Sequence, residues 1–229
     1  MKKIILILLI SVLSIDLIAQ RDYESPDAKE KVLEHKSFAI VPFDFQVTGR
    51  KPKKMTQEEY ERNVINTEKD ARLSCQAEFA SRILKKLEKG KIVAQLQPIN
   101  RTNALLSRAG VTAADIESNK YLPEELCEIL DVDAVVMGRV ESAKLLSTGV
   151  AIGLKIVGLG NVASGKSSAD LSLYDKDAEL LWNWSTRELK TSDIGSDTDK
   201  LIDYLMKRAT KKFPYFQKQS TLVKRIMNN

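Results

Sequence analysis

The sequence predicts an α/β fold in which helices pack against a mixed sheet. The apolar, β-branched run at 134–137 directly follows a helical pattern, as expected of a strand buried on both faces. The run at 38–43 is apolar throughout and precedes a long helical pattern, which favours a second central strand. Residues 169–174 and 180–189 alternate apolar and polar side chains about a short turn, which predicts an antiparallel hairpin. Central strands linked by helices, together with a hairpin, give a sheet of mixed direction.

The chain divides into a signal peptide, a polar lead-in, one α/β domain and a basic tail. We place these segments at 1–19, 20–36, 37–215 and 216–229, with a glycine-rich insertion in the domain at about 146–165. A length of 229 residues suits one domain with appendages. No apolar run after the first approaches the length of a membrane-spanning helix.

The N-terminus has the pattern of a secretory signal peptide. Lys2 and Lys3 precede an apolar run at 4–13 that is shorter than a comfortable bilayer span. The small residue Ala19 precedes Gln20, and we expect cleavage between them. We therefore expect an exported protein. A retained membrane anchor is the alternative.

Charge content excludes one class of function, and cysteine content leaves one question open. Lys and Arg number 36 against 31 Asp and Glu, and a net charge of +5 is too small to predict nucleic-acid binding. Cys75 and Cys127 both lie in helical patterns on apolar faces. In an exported protein they either form a disulfide or remain buried thiols, because spacing alone does not show whether they come within bridging distance.

The first long helix is predicted from its cap and its apolar spacing. Thr56 and Glu59 have the spacing of a capping box, so a helix is expected from Gln57. Gly90 is expected to end it. The predicted core-facing residues are Leu73, Ala77, Ala80, Ile83, Leu84 and Leu87.

The remaining elements follow in order along the chain. They are expected at 92–96 (strand), 100–109 and 124–130 (helices) and 134–144 (strand). A last helix begins after Asp197 or Thr198, and Pro214 ends it. Trp182 and Trp184 share one face of the hairpin, where they either stack on a ligand or cover the core.

Two segments are candidates for contact with partners. The loop at 46–54 holds a basic cluster that consists of Arg50, Lys51, Lys53 and Lys54. The cluster either binds an anionic surface or an acidic partner, or its charges are simply solvated in an ordinary loop. In the glycine-rich insertion, apolar residues alternate with smaller or polar ones. The apolar residues are Val150, Ile152, Leu154 and Ile156. This ribbon either inserts in a membrane or pairs with a neighbouring subunit, or it is a strand of the domain's own sheet.

Residues 160–167 fit the pattern of a phosphate-binding loop. Gly160, Gly165, Lys166 and Ser167 occupy the fixed positions of that pattern. The mechanism needs a helix directly after the loop, so that N-terminal amides meet the phosphates. Here the residues after Ser167 alternate as a strand. A nucleotide- or ligand-binding module is therefore an alternative that only a helix beginning at Lys166 would support.

The sequence offers few candidates for catalysis or metal binding. His35 is the only histidine, lies in the charged lead-in and is expected to be exposed, so a nucleophile would lack a well-placed base. Cys75 and Cys127 have no histidine clustered with them and so no zinc-type spacing. We predict a non-enzymatic protein with no catalytic, cofactor-binding or metal-binding residues.

Four segments resemble the curli-secretion (CsgG) family and its relatives in the bacterial envelope. These relatives are TolB N-terminal-domain-like proteins and penicillin-binding-protein-activator lipoproteins. The segments are FAIVPF at 38–43, ASRILKKLEKGKIVAQL at 80–96, LCEILDVDAVVMGRV at 126–140 and SADLSLYDKDAELLW at 168–182. Each is a short pattern at the level of the fold.

The resemblance implies a TolB N-terminal-domain-like α/β sandwich with a non-enzymatic role in assembly at the periplasmic side of a Gram-negative outer membrane. It implies envelope proteins as partners, with a homo-oligomer and membrane association as further options. A secretion-channel-like pore built from the ribbon at 146–165 is an alternative. The chain departs from the family in lacking a lipobox cysteine, and Ala178 replaces the usual glycine of the hairpin turn, so the turn type is open.

Overall fold

The computed structural model describes residues 22–51, 53, 55–90, 94–142, 166–190 and 198–216. Its strands are β1 (Asp22–Glu24), β2 (Ser37–Ile40), β3 (Asp44–Val47), β4 (Gln95–Leu96), β5 (Ala134–Ser142), β6 (Lys166–Asp175) and β7 (Leu180–Lys190). Its helices are α1 (Ala28–Glu34), α2 (Gln57–Leu87), α3 (Ile99–Arg108), α4 (Ala113–Glu117), α5 (Pro123–Leu130) and α6 (Thr198–Thr210).

The strands form one mixed sheet in the order β1-β7-β6-β5-β2-β4, with β3 also beside β5. β2 lies between β4 and β5 and runs parallel to both, as strands joined by helical crossovers do. β5, β6, β7 and β1 are antiparallel neighbours. The predicted α/β class with a mixed sheet is therefore confirmed.

Alternate residues of the strands build two cores, one on each face of the sheet. Phe38 and Ile40 of β2 point to the face that packs against α1, α2 and α6, which we call the α2 face. Ala39 of β2 points to the opposite face, which packs against α3, α4 and α5 and which we call the α5 face. Trp182 and Trp184 lie in the core of the α2 face, in agreement with the core interpretation of this pair.

A bulge between β2 and β3 reverses which side chains face each core. Ile40 pairs with Val136. Asp44, four residues later, pairs with Arg139, only three residues after Val136. The β2–β3 side therefore has one extra residue, and because side chains alternate, every later side chain changes face. Asp44 turns to the α5 face, while Phe45 lies in the core of the α2 face.

Gly138 permits this bulge because the ring of Phe43 lies directly over it. A Cβ atom at Gly138 would lie 2.8 Å from ring carbons of Phe43, closer than such atoms approach in folded proteins. The apolar run at 38–43 was predicted as one strand, but β2 ends at Ile40 and regular pairing with β5 resumes as β3 at Asp44. β3 thus occupies the beginning of the predicted loop at 46–54.

The helix α2 begins where its capping box predicts, but its buried stripe is different. Thr56 Oγ1 accepts a hydrogen bond from the Glu59 backbone N–H at 3.2 Å, and the Glu59 carboxylate accepts one from Thr56 N–H at 2.9 Å. Leu73 and Leu84, predicted to face the core, are 49% and 48% exposed. Ala80 and Ile83 are buried as predicted. The full set of buried residues follows an i, i+4 line with two neighbours and consists of Thr67, Ala71, Cys75, Gln76, Phe79, Ala80 and Ile83.

Both ends of the described chain pack onto the domain, including the described part of the segment that the sequence sets apart as a lead-in. β1 pairs with β7, with Tyr23 opposite Asn183. Val32 of α1 is buried in the core of the α2 face. At the other end, Phe213 and Tyr215 follow α6 and complete the same core.

Asp175 organises the turn between β6 and β7. Its Oδ1 atom accepts hydrogen bonds from the backbone N–H of Asp177 at 3.0 Å and of Glu179 at 2.8 Å. Ala178 has a φ of 65°, a left-handed conformation that costs an L-residue about 1–2 kcal/mol. The turn therefore has the conformation that glycine favours, although the sequence supplies alanine.

The start of β6 overturns the phosphate-binding loop interpretation. β6 begins at Lys166, so the segment after residue 165 is a strand and presents no helix N-terminus to a phosphate. Residues 160–165 themselves lie outside the described residues. The alternative of a nucleotide-binding module at 160–167 is therefore wrong.

Substituting Gly138 by alanine tests the close approach of Phe43. We expect Gly138→Ala to lower the free energy of unfolding by about 1–3 kcal/mol, because the added methyl group overlaps the Phe43 ring. Urea denaturation measures the change. In a Phe43→Leu background the same substitution should cost less, and strictly additive losses would contradict the contact.

Substituting Ala178 by glycine tests the strained turn. We expect Ala178→Gly to raise the free energy of unfolding by about 0.5–1 kcal/mol, because glycine adopts positive φ without steric cost. Ala77→Gly, at an exposed position of α2, is the matched control and should lower it by about 0.5–1 kcal/mol. Equal losses from both substitutions in thermal and urea unfolding would contradict this account.

Candidate interaction surface

The described helices cover only part of the α5 face, and the strands beyond them carry polar side chains in register. α3, α4 and α5 pack over β2 and the first half of β5, where Ala39 and Val135 are buried. Beyond Met137 the side chains on this face become polar. We call this surface the open face and define it by Asp44, Gln46, Arg139, Glu141, Ser168, Asp170, Ser172 and Asn183.

The strand registers place these side chains in rows across the sheet. One row runs through Asp44, Arg139 and Asp170, from β3 through β5 to β6. The next row, closer to the end of β5, runs through Gln46, Glu141 and Ser168. A third row pairs Ser172 with Asn183. Arg139 and Asp170 are exposed, so the rows are accessible to a partner along the middle of the face.

Asp44 and Arg139 form the strongest polar contact of the open face. Arg139 Nε donates to Asp44 Oδ2 over 2.6 Å, and the Asp44 side chain is 5% exposed against 44% for Arg139. Gln46 Nε2 also donates to Asp44 Oδ2, at 3.0 Å. A buried carboxylate is stable only when charges or donors compensate it, and Arg139 and Gln46 supply these to Asp44.

Arg139 also fixes the border between the open face and the covered part. Its guanidinium donates to the backbone carbonyl of Glu117 at the end of α4, at 3.0 Å. The Glu117 carboxylate forms an ion pair with Arg72 of α2. Glu68, one turn before Arg72, accepts a hydrogen bond from the Val47 backbone N–H at 2.8 Å. This chain of contacts anchors α4 to β3 and α2, so α4 cannot slide over the open face without breaking it.

The far half of the open face carries a hydrogen-bonded set of polar side chains on β6, β7 and the end of β5. Asn183 Nδ2 donates to Asp170 Oδ1 at 2.8 Å and to Ser172 Oγ at 3.0 Å. Ser168 Oγ donates to Glu141 Oε2 at 3.2 Å. Within the described part of the chain, neither Asp170 nor Glu141 takes part in an ion pair. The described side chains of this half therefore present carboxylate and hydroxyl acceptors to a partner.

The two segments that the sequence singled out leave the sheet at the same end. The Thr48 N–H donates to the Ser142 carbonyl at 2.8 Å, which joins the end of β3 to the end of β5. The basic loop continues from Thr48, and the glycine-rich ribbon continues from Ser142. We call this end of the sheet the distal end.

Only part of the predicted interaction set falls within the described residues. Arg50, Lys51 and Lys53 are exposed, and Lys51 Nζ donates to the Met55 carbonyl at 2.8 Å. The others lie outside the described residues; they are Lys54, Val150, Ile152, Leu154 and Ile156, together with Ala19 and Gln20 of the predicted cleavage site. Their predicted roles remain predictions.

Both cysteines are buried free thiols, so the alternative of a disulfide between them is not found. Cys75 lies in the core of the α2 face and Cys127 in the core of the α5 face, with the sheet between them. Burial raises the pKa of both thiols, that of Cys127 to about 12. Thiols in this state are poor nucleophiles and poor metal ligands.

The described residues hold no group of three or more metal-ligating side chains. His35, expected to be exposed, is partly buried instead, and its Nδ1 atom lies 2.5 Å from the Tyr215 hydroxyl. None of the helices in the described ranges is both long enough and apolar enough to span a bilayer.

Sequence reasoning missed the open face, although its signal is present in the sequence. The polar positions in the alternating strand at 168–174 are Ser168, Asp170 and Ser172. Alternation shows that they share one face. Alternation cannot reveal whether a helix covers that face. It also cannot reveal that Asp44 and Arg139 lie beside these three residues, because strand order and register are not visible in the pattern.

No known protein-family profile matches this chain. No curated protein matches it either.

Comparison with solved structures finds three with limited similarity to this chain. The chain is similar to lipoprotein GNA1162 from Neisseria meningitidis, with 18% identity, coverage of 84% of this chain and 99% of that chain, and a TM-score of 0.38. The PelC dodecamer from Paraburkholderia phytofirmans gives 15% identity, 87% and 97% coverage and a TM-score of 0.41. The LpoB C-terminal domain from Salmonella enterica gives 9% identity, 71% and 93% coverage and a TM-score of 0.31. No functional assignment rests on likenesses of this size.

Removing the cation from Asp44 tests the main contact of the open face. We expect Arg139→Met to lower the free energy of unfolding by about 1–2 kcal/mol at neutral pH, because it leaves a buried carboxylate without its charged partner. Asp44→Asn should recover part of this loss in the double variant, and a double-mutant cycle by urea denaturation measures the coupling. A coupling energy of zero would mean that the pair contributes nothing to stability.

Proposed function

We propose that this chain is an exported, non-enzymatic protein of a Gram-negative envelope that acts by protein–protein contact through the open face. Its place would be the periplasm or the periplasmic side of the outer membrane. There it would serve as an assembly or accessory component of a larger complex. Its partners would be envelope proteins, with a second copy of the chain as one option.

The single observation that supports this proposal is the unequal covering of the sheet. On the α2 face, helices and the C-terminal aromatic residues bury the strands from β2 to β7. On the α5 face, the described helices stop short of the rows that contain Arg139 and Asp170. A rigid sheet with ordered, exposed polar side chains provides fixed donors and acceptors, as specific protein contacts require.

The kind of partner follows from the charges of the open face. Arg139 forms its ion pair with Asp44, so Asp170, directly opposite Arg139, and Glu141 form no ion pair with a described side chain. Asp170 stands diagonally from Glu141 across β5 and β6, at a separation of roughly 7–8 Å by sheet geometry. A partner that brings one arginine or two lysines to this point would neutralise both carboxylates.

A second candidate function is an oligomeric pore or secretion channel built from the ribbon at 146–165. Glu141 of β5 pairs with Ser168 of β6, so the ribbon connects two adjacent antiparallel strands at the distal end. A segment placed in this way can extend the hairpin beyond the domain without disturbing the sheet. This observation favours the ribbon as an assembly element over a surface loop of another kind.

Site-specific photocrosslinking in cells of the source organism tests the open face. A crosslinking side chain at Ser168 should give a discrete adduct with an envelope protein, and the same side chain at exposed Ala77 of α2 should give none. Adding Asp170→Lys should reduce the Ser168 adduct by roughly tenfold or more, because a like charge then faces the partner's cation. Equal adducts from both positions, or no effect of Asp170→Lys, would overturn the proposed surface.

Size-exclusion chromatography with light scattering then decides between the two candidates. The chain from Gln20 is compared with the same chain lacking 146–164. If the intact chain is a large oligomer and the deletion is a folded monomer, the ribbon drives assembly and the channel-like function gains support. If the two have the same mass and thermal stability, the ribbon is not an assembly element.

A further inference from the structure

Two helices of the α2 face, α2 and α6, finish at the same end of the sheet, where β2 begins. Gln95, which follows α2, pairs with Ser37 of β2. Tyr215, which follows α6, stacks on Phe38 of β2 with ring centroids 4.4 Å apart. The C-terminal ends of both helices therefore lie at the end of the sheet opposite to the distal end.

Two contacts join the last part of α2 to α6 and to the residues that follow it. Arg82 of α2 forms an ion pair with Asp203 of α6. Lys86 Nζ of α2 lies 5.3 Å from the ring centroid of Phe216. These contacts fix which sides of the two helices meet.

Lysines continue from this contact along both helices. Three of them follow Arg82 by three, four and seven positions, and two follow Asp203 by four and eight positions, so each line extends the side of the helix that makes the ion pair. All are exposed except Lys86, which is partly buried. We call this surface the cationic ridge and define it by Lys85, Lys86, Lys89, Lys207 and Lys211.

The two segments that carry the ridge have a strong excess of positive charge. Residues 79–90 and 203–216 contain eight Lys and Arg against two acidic residues, a formal net charge of +6, whereas the whole chain carries +5. One of these two acidic residues, Asp203, is already paired with Arg82. After Asp203 the sequence contains no further acidic residue.

Helix dipoles do not by themselves account for this excess. The carbonyl end of a helix favours cations in its last turn. However, α3 has a single cation there, Arg108, and α4 and α5 have none. At the ridge two positively charged helix ends lie together, so their like charges repel one another. An anionic partner would relieve that repulsion.

We propose that the cationic ridge binds the anionic headgroups of a phospholipid membrane. This inference goes beyond the proposed function and does not depend on it, because the ridge and the open face lie on opposite faces of the sheet. A domain held to a bilayer by the ends of α2 and α6 keeps its open face free for protein partners.

Aromatic rings below the cations suit a lipid surface. The ring of Phe216 lies under Lys86, and the ring centroid of Tyr204 lies 5.4 Å from the guanidinium carbon of Arg208. Both rings are partly buried. Long cationic side chains and aromatic rings are the groups that proteins place at the headgroup level of a bilayer.

The sequence that follows the ridge agrees with this partner. The described chain ends at Phe216, in contact with Lys86, and residues 217–229 lie outside the described residues. Their sequence combines three cations with four apolar residues at helical spacing; these are Lys218, Lys224 and Arg225, and Leu222, Val223, Ile226 and Met227. A basic amphipathic pattern of this kind is typical of segments that lie on a membrane surface.

Sedimentation of the chain from Gln20 with lipid vesicles tests the ridge. We expect binding to phosphatidylcholine vesicles that contain about 30% phosphatidylglycerol, and binding weaker by at least about tenfold to phosphatidylcholine alone. Binding to the anionic vesicles should fall steeply as sodium chloride rises from about 0.05 M to about 0.3 M, because salt screens exposed charges. Equal binding to both kinds of vesicle, or binding to neither, would overturn the proposal.

A variant that lacks four exposed lysines separates the ridge from general basicity. Each cation close to an anionic bilayer strengthens binding by about fivefold, so losing even two of these contacts should weaken binding by at least about 25-fold. The variant leaves the sequence of 217–229 unchanged and carries Lys85→Gln, Lys89→Gln, Lys207→Gln and Lys211→Gln.

A matched control removes the same charge from exposed positions elsewhere in α2 and in α3. It carries Arg62→Gln, Lys69→Gln, Arg101→Gln and Arg108→Gln. Its binding should stay within about threefold of the wild type, because charges far from the bilayer are screened. Equal losses in the two variants would show that net charge alone drives binding, and the ridge would be rejected.

A third variant tests the basic loop at the distal end as the competing contact. It carries Arg50→Gln, Lys51→Gln and Lys53→Gln and should bind as the wild type does. A loss confined to this variant would place the membrane contact at the distal end and contradict the ridge. Thermal unfolding of each variant verifies that the domain is folded in the binding assay.

Discussion

The close approach of Phe43 to Gly138 is the contact on which the rest of the sheet depends. It allows the β2–β3 segment to carry one residue more than the stretch of β5 that it runs beside. That extra residue changes the face of every side chain from Asp44 onward. Phe45 is thereby buried in the core of the α2 face, and Asp44 reaches Arg139 on the other side. In a regular strand Asp44 would enter the apolar core, at a cost of several kcal/mol.

The bulge therefore generates both the core and the surface from one short segment. With Asp44 on the α5 face, Arg139 has a buried carboxylate to bind, and its guanidinium also reaches the end of α4. The position of α4 limits how far the helices extend over the sheet. The row that continues from Arg139 to Asp170 lies beyond the described helices.

Local patterns in the sequence predicted the parts of this fold that depend on neighbours along the chain. The capping box at Thr56, the alternation in the hairpin and the shared face of Trp182 and Trp184 are properties of this kind. The bulge was missed because an apolar run at 38–43 reads as one strand whether or not it is interrupted. The sequence assigned Leu73 and Leu84 to the buried stripe of α2, but both are exposed. A long helix buries only those residues that its neighbours in the fold contact. Which sheet face stays open depends on strand order and on long-range packing, which a single sequence does not display.

The two ends of the sheet differ in how they are closed, and this difference separates their roles. At the end where β2 and β5 begin, Asp133 binds the backbone of Ser37, and Tyr215 closes the core by stacking on Phe38. At the distal end, the basic loop and the ribbon both depart from strands that are hydrogen-bonded to each other. Contacts made there would be carried directly into β5, the strand that also bears Gly138 and Arg139. A partner at the distal end or on the open face would therefore bind the same rigid strand.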